Sequence, residues 1–127
     1  MSDDCCNSFG GRITIKAGNQ VLSARADITI MPADRSVEGG SNQDGSDYFT
    51  SKPTQVGWEA TLSSPCDYDL ATFLKTCSVN VTIDEEDNGR QHLFTGGRIV
   101  GELRQNLASG EVEGLMGRGG KYRRVAA

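Results

Sequence analysis

Polar and apolar residues alternate along several separate stretches of the chain, and a period of two marks a strand with one buried face. The first stretch, Arg12-Ile13-Thr14-Ile15-Lys16, puts Ile13 and Ile15 on one side. Gly18-Asn19-Gln20 supplies a tight turn. Val21 to Met31 alternates again, with Ala24, Ala26, Ile28 and Ile30 against Arg25, Asp27 and Thr29, so the two stretches predict a hairpin. Val56 to Leu62 places Val56, Trp58, Ala60 and Leu62 on one face. Val79-Asn80-Val81-Thr82-Ile83 leads into an acidic tip, Asp84 to Gly89, that ends in Asn-Gly, one of the best short hairpin signals. A return strand from His92 to about Leu103 follows, with a bulge at Gly96-Gly97. Glu111 to Met116 reads as the last strand.

Between these runs the pattern changes. Pro32 lacks the N–H a ladder needs and ends the second strand. Residues 33–47 hold Ser36, Glu38, Gly39, Gly40, Asp44 and Asp47 with Val37 as the one large apolar residue, and predict a long polar loop. Leu70, Phe73 and Leu74 stand at i, i+3 and i+4, one stripe of a short helix over Tyr68–Lys75 capped by Asp67 or Ser64. The expected core is therefore Ile13, Ile15, Ile28, Ile30, Trp58, Leu62, Leu70, Phe73, Leu74, Val79, Val81 and Ile83. The organisation predicted is a flexible arm at 1–10, a β-domain at 11–117 containing the loop at 33–47, and a basic tail at 118–127 that is mobile in the monomer. The fold class is mainly β, an antiparallel β-sandwich or small β-barrel with one short α-helix.

Composition narrows the function. At 127 residues there is room for one domain. Only 36% of residues are hydrophobic, and the 16 glycines favour turns and bulges over long helices. A net charge of −4 disfavours sequence-reading contact with nucleic acid. No apolar run approaches the roughly 20 residues a membrane span needs, and the first residues lack the basic start and apolar segment of a secretory signal, so synthesis in the cytoplasm is the default. Cys5, Cys6, Cys66 and Cys77 lack the paired spacing of a zinc site and are expected as free thiols, with a Cys66–Cys77 disulfide left open.

No catalytic, metal or cofactor site emerges. His92, the sole histidine, is expected to face solvent beside the turn, without a second group to tune it. Asp84, Glu85, Glu86 and Asp87 lack calcium-loop spacing and read as a solvated tip. Gly117-Arg118-Gly119-Gly120 precedes no helix and so does not cradle phosphate. Trp58 reads as core, with a ligand pocket as the less favoured role.

The order of motifs resembles the tail tube proteins of Mu-like contractile-tailed phages. The matching features are the Gly11-Arg12-Ile13-Thr14-Ile15 strand, the Gly18-Asn19 turn, the Val21–Met31 strand, the polar Gly-rich loop, and the helix at Asp69–Leu74. The Val79–Ile83 strand, the Asp87-Asn88-Gly89 turn and the Gly110–Gly114 strand complete the series. The resemblance covers residues 10–117 and leaves out the cysteines and the basic tail. It implies a non-enzymatic virion component without cofactors: hexameric rings stacked into a hollow conduit for DNA, with sheath, baseplate and terminator proteins as partners and DNA passing unread. On that resemblance the loop around Ser36 to Asp47, with Ser36, Glu38, Gly39, Gly40, Asp44 and Asp47, and the N-terminal arm are the expected contacts between copies. Lys121, Arg123 and Arg124 are candidates to pair with Glu85, Glu86 and Asp87 of a neighbour. The alternatives are a related hexameric tube or terminator protein of a tail-like or secretion machine, and a monomeric ligand-binding β-barrel built around Trp58.

Overall fold

The computed structural model describes residues 9–25, 28–65 and 69–126. Most of the expected arm, with Cys5, Cys6, Cys66 and Asp67, lies outside the described residues. The elements in order are β1 (Ile13–Ala17), β2 (Gln20–Leu22), β3 (Thr29–Met31), β4 (Arg35–Ser41), β5 (Asp47–Pro53), β6 (Gly57–Glu59), β7 (Leu62–Ser63), α1 (Ala71–Lys75), β8 (Val79–Glu85), β9 (Arg90–Val100), β10 (Arg104–Gln105), β11 (Glu111–Glu113), β12 (Met116–Arg118) and β13 (Lys121–Ala126). The fold is mainly β, with antiparallel sheets and one short helix.

An eight-stranded sheet runs β2-β1-β8-β9-β12-β6-β3, with β13 added on β9. The long strand β9 organises it. One edge of β9 pairs with β8, while the other takes β13 along Arg90–Thr95 and β12 along Arg98–Val100. At the bulge, Val79 pairs with Gly97 but Val81 with Phe94. Gly96 adopts φ +76°, and its N–H donates to Asn80 Oδ1 at 3.0 Å, so the residue pushed out of the ladder keeps a partner. The bulge also changes which side of β9 faces inward, so that both Phe94 and Ile99 reach the core. A second sheet, β10-β11-β7, covers an open side, and Ala24 is bridged to Leu62 of β7.

The core is Ile15, Ala17, Leu22, Val56, Trp58, Ala60, Leu62, Leu70, Phe73, Val81, Ile83, Phe94, Ile99, Val112 and Leu115, with Ile13, Ile28, Ile30, Leu74 and Val79 half-buried against it. Trp58 is its largest member and lies directly over Gly117, where a β-carbon would run into the indole. Six stretches differ from the sequence expectation. Residues 33–47 are not a loop: they form β4, a turn and the start of β5, and the hairpin closes through backbone pairing that needs no apolar alternation. Val21–Met31 divides between β2 and β3, and Val56–Leu62 between β6 and β7. Glu111–Met116 divides at Gly114, whose φ of +89° turns the chain from the second sheet into β12. The basic tail is a full strand, β13, because Tyr122 packs against Phe94, their ring centroids 5.0 Å apart. The helix is shorter than expected, and Asp69, through Oδ1, accepts the Ala71 N–H at 3.0 Å where Asp67 or Ser64 was expected to cap.

Candidate assembly interface

The β4–β5 hairpin is the most unusual part of the molecule. Its two seven-residue strands pair in full register from Arg35↔Pro53 to Ser41↔Asp47, yet every residue is exposed except half-buried Gly40. The tip is tightened by Asn42 and Ser46: the Asn42 N–H donates to Ser46 O at 2.7 Å, and Asp44 Oδ1 accepts from the Ser46 N–H and hydroxyl. Those bonds from Ser46 hold the Asp44 carboxyl below the usual aspartate range. The register sorts the side chains. Val37, Gly39, Asp47, Phe49 and Pro53 share one face, while Ser36, Glu38, Gly40, Tyr48, Thr50 and Lys52 share the other. Gly39 leaves room for the Phe49 ring and Gly40 for the Tyr48 ring, so each glycine serves as a bed for the aromatic opposite it. Phe49 remains 72% exposed and Val37 57%.

The structure thus gathers Ser36, Glu38, Gly39, Gly40, Asp44 and Asp47 on one projecting hairpin. It places Lys121, Arg123 and Arg124 elsewhere, on β13. Lys121 and Arg123 lie opposite Thr95 and Leu93, on the face of the main sheet turned away from the core, and Arg124 lies opposite His92 on the other face. All three are exposed.

His92 departs from the expectation of a solvent-facing residue. It is 8% exposed, because register sets it opposite Ile83 on the core side. Its Nδ1 lies 2.7 Å from the Tyr122 hydroxyl and its Nε2 2.5 Å from Glu85 Oε2. Arg90 completes the group, with its Nε 3.3 Å from the same carboxylate oxygen. Burial pushes the Glu85 carboxyl up, but the His92 hydrogen bond and the Arg90 charge outweigh it and leave it below the usual glutamate range. Burial raises the Tyr122 hydroxyl, and His92 stands between that hydroxyl and the Glu85 carboxylate, which accepts from Nε2–H. Both ring nitrogens are engaged, so the group ties β8, β9 and β13 together at one end of the sheet. Sequence reading missed this cluster, although the Ile83–His92 pairing implied by the Asn88-Gly89 turn carries the signal.

The remaining acidic tip is engaged within its own chain. Asp87 accepts from the Arg12 backbone N–H at 2.8 Å and from its guanidinium at 2.9 and 3.1 Å, and Glu86 accepts from Thr14 at 2.9 Å. The bonds from Arg12, backbone first, lower the Asp87 carboxyl. Beside Trp58 the cavity measures about 10 Å³, room for one water and no organic ligand. Cys77 is an exposed free thiol. Among the described residues no cluster of His, Cys, Asp and Glu is suited to a metal ion, and no helix is long and apolar enough to cross a membrane.

The profile of the family described as "Phage tail tube protein" matches residues 6–121. No curated protein matches the chain in sequence. Among solved structures, "Structure of Hcp1 from Flavobacterium johnsoniae" is similar with a TM-score of 0.59 and 8% identity, covering 91% of this chain and 95% of that one. At that identity the likeness concerns the fold alone.

Proposed function

The chain belongs to the phage tail tube protein family, and from that premise we propose that it forms hexameric rings that stack into a hollow conduit for DNA. Its place as a structural component of the virion tail follows from the family; the hexamer, the stacking and the conduit are the proposal. The observation that carries it is the β4–β5 hairpin. A two-stranded ribbon without a packed face is marginal in water, and this one shares no more than marginal contact with the rest of its chain. Such an element is stable where other copies cover it.

Several further assignments rest on the same premise. The subunit is made in the host cytoplasm, belongs to the Mu-like contractile-tail branch, and meets sheath, baseplate and terminator proteins. A net charge of −4 repeated around a ring keeps DNA from adhering as it passes. Pairing of Lys121, Arg123 and Arg124 with the acidic tip of a neighbour competes with Arg12 for Asp87 within the chain. If charge reversal at those three residues leaves assembly and its salt dependence unchanged, that pairing is wrong.

Negative-stain electron microscopy across a concentration series, with light-scattering mass, tests the reading. Hollow rings with six-fold averages that lengthen into tubes are expected. Single rings that never elongate identify a terminator instead. A protein that stays monomeric at every concentration, and also fails to extend pre-formed tail-tube fragments, overturns the proposal.

A further inference from the structure

Among the described residues the hairpin leaves an apolar face uncovered, and the body of the same molecule leaves an apolar cleft open. The cleft has a volume of about 700 Å³ and is lined by Phe9, Ile13, Ala24, Ile28, Ile30 and Ile83, with Glu85 and His92 among its walls. Arg25 also borders it. All four isoleucines already pack against the core, so the cleft is a shaped part of the fold. Its volume lies within the range of about 300–1,000 Å³ in which binding pockets enclose a group of several rings or side chains.

We propose that the Val37–Phe49 face of the hairpin seats in this cleft on a second copy of the chain. The proposal deepens the assembly reading and rests on it. Three observations favour a second copy as the occupant. The first is that the hairpin is joined to the sheet by short connectors and projects from it. Only residues 32–34 and 54–56 join it to β3 and β6, and those two strands are themselves paired, from Met31↔Gly57 to Thr29↔Glu59. The Thr54 N–H and hydroxyl donate back to Asp34 O and Ala33 O across the connectors. The ribbon therefore continues the β3–β6 pair outward, whereas Ile30 of β3 faces the cleft.

The second is chemical match. Phe49 and Val37 present an exposed aromatic and an exposed branched side chain, flanked on the same face by Asp47 at one end and Arg35 at the other. The cleft offers four isoleucines and, on its border, the Arg25 guanidinium. Phe49 on isoleucine with Asp47 near Arg25 satisfies the apolar part and one opposite-charge pair at once. The third is symmetry: a projection on one part of the surface that fits a recess on another gives a head-to-tail contact, and repeated contacts of that kind close into rings or continue as stacks.

The test places a benzophenone amino acid at position 49 of the full chain, irradiates it after assembly, and maps the cross-links by mass spectrometry. Cross-links between copies that end on residues 9–13, 24–30 or 83–92 are expected. Tubes that form with cross-links landing elsewhere overturn this docking and leave the tube reading intact. Failure to assemble or cross-link at any concentration, with tail-tube fragments added, counts against both. In parallel, Phe49→Ser is expected to raise the concentration for half-assembly roughly thirtyfold, the scale of an interface anchor, with unchanged melting of the monomer. Phe49→Leu is expected to restore most of the assembly. Equal assembly of wild type and Phe49→Ser overturns the docking.

Discussion

The β8–β9 and β4–β5 ribbons are both antiparallel hairpins in long register, yet they owe their existence to different things. In β8–β9 the backbone ladder is backed by Val81, Ile83 and Phe94, each within the core, and by the His92–Glu85–Tyr122 cluster at its end. In β4–β5 the ladder is complete but both faces meet solvent. A hydrogen bond of the backbone contributes little net once its exchange with water is counted, whereas each buried aliphatic or aromatic side chain contributes about 1.5–3 kcal/mol. The first hairpin thus makes the monomer stable, and the second contributes almost nothing to it. A region that does not stabilise its own chain is free to be kept for contacts made in assembly.

The comparison is broken most forcefully in the core. Trp58→Ala is expected to cost about 3–5 kcal/mol, read as a lower urea midpoint. An equal loss from Phe49→Ser would erase the distinction between the two regions; the expectation there is a change within about 0.5 kcal/mol. Removing residues 121–127 comes next. Because β13 covers the β9 edge and Tyr122 packs on Phe94, the truncation is expected to cost about 3 kcal/mol, while a tail that hangs free would be removed without loss.

These two outcomes bear on how much of the fold is legible in sequence. The β8–β9 hairpin is legible because Val79, Val81 and Ile83 alternate toward a core and Asn88-Gly89 permits the turn, with Gly89 at φ +70°. Residues 35–47 defeat the same reading, since a strand exposed on both faces carries no period of two and Gly39-Gly40 resembles a loop, whereas order returning at Tyr48-Phe49-Thr50 is legible. Lys121–Ala126 is masked by its charges, although Tyr122 alone supplies the anchor. The split of Glu111–Met116 at Gly114 is likewise silent in a pattern of apolar residues, because a change of sheet is a property of partners. Of the proposed contact, the polar hairpin residues are visible in the sequence as candidates. The cleft is not, for it joins Ile13, Ile28, Ile30 and Ile83 from three strands and a connecting segment.

A smaller effect sharpens the contrast at the charged end of the main sheet. Glu85→Gln is expected to cost about 2 kcal/mol, since it replaces the charged acceptor shared by the largely buried Arg90 and His92 with a neutral amide. The Glu85 carboxyl titrates below its unfolded value, so its contribution is full above about pH 4.3 and is lost as pH falls through the lower folded value. Wild type should therefore lose stability as pH falls below about 4.3, where urea midpoints of Glu85→Gln change less. The smallest effect belongs to the Arg12–Asp87 pair, which lies at the surface; Asp87→Asn should leave melting nearly unaltered at high salt, where exposed ion pairs are screened.

The measurement closest to the central claim is hydrogen–deuterium exchange of the same protein as dilute monomer and as assembled tube. Amides of Val81–Glu85 and Arg90–Phe94 are expected to be protected in both states, whereas those of Arg35–Pro53 exchange quickly in the monomer and slow roughly tenfold or more on assembly. A hairpin that exchanges as fast in the tube as in the monomer would contradict that claim.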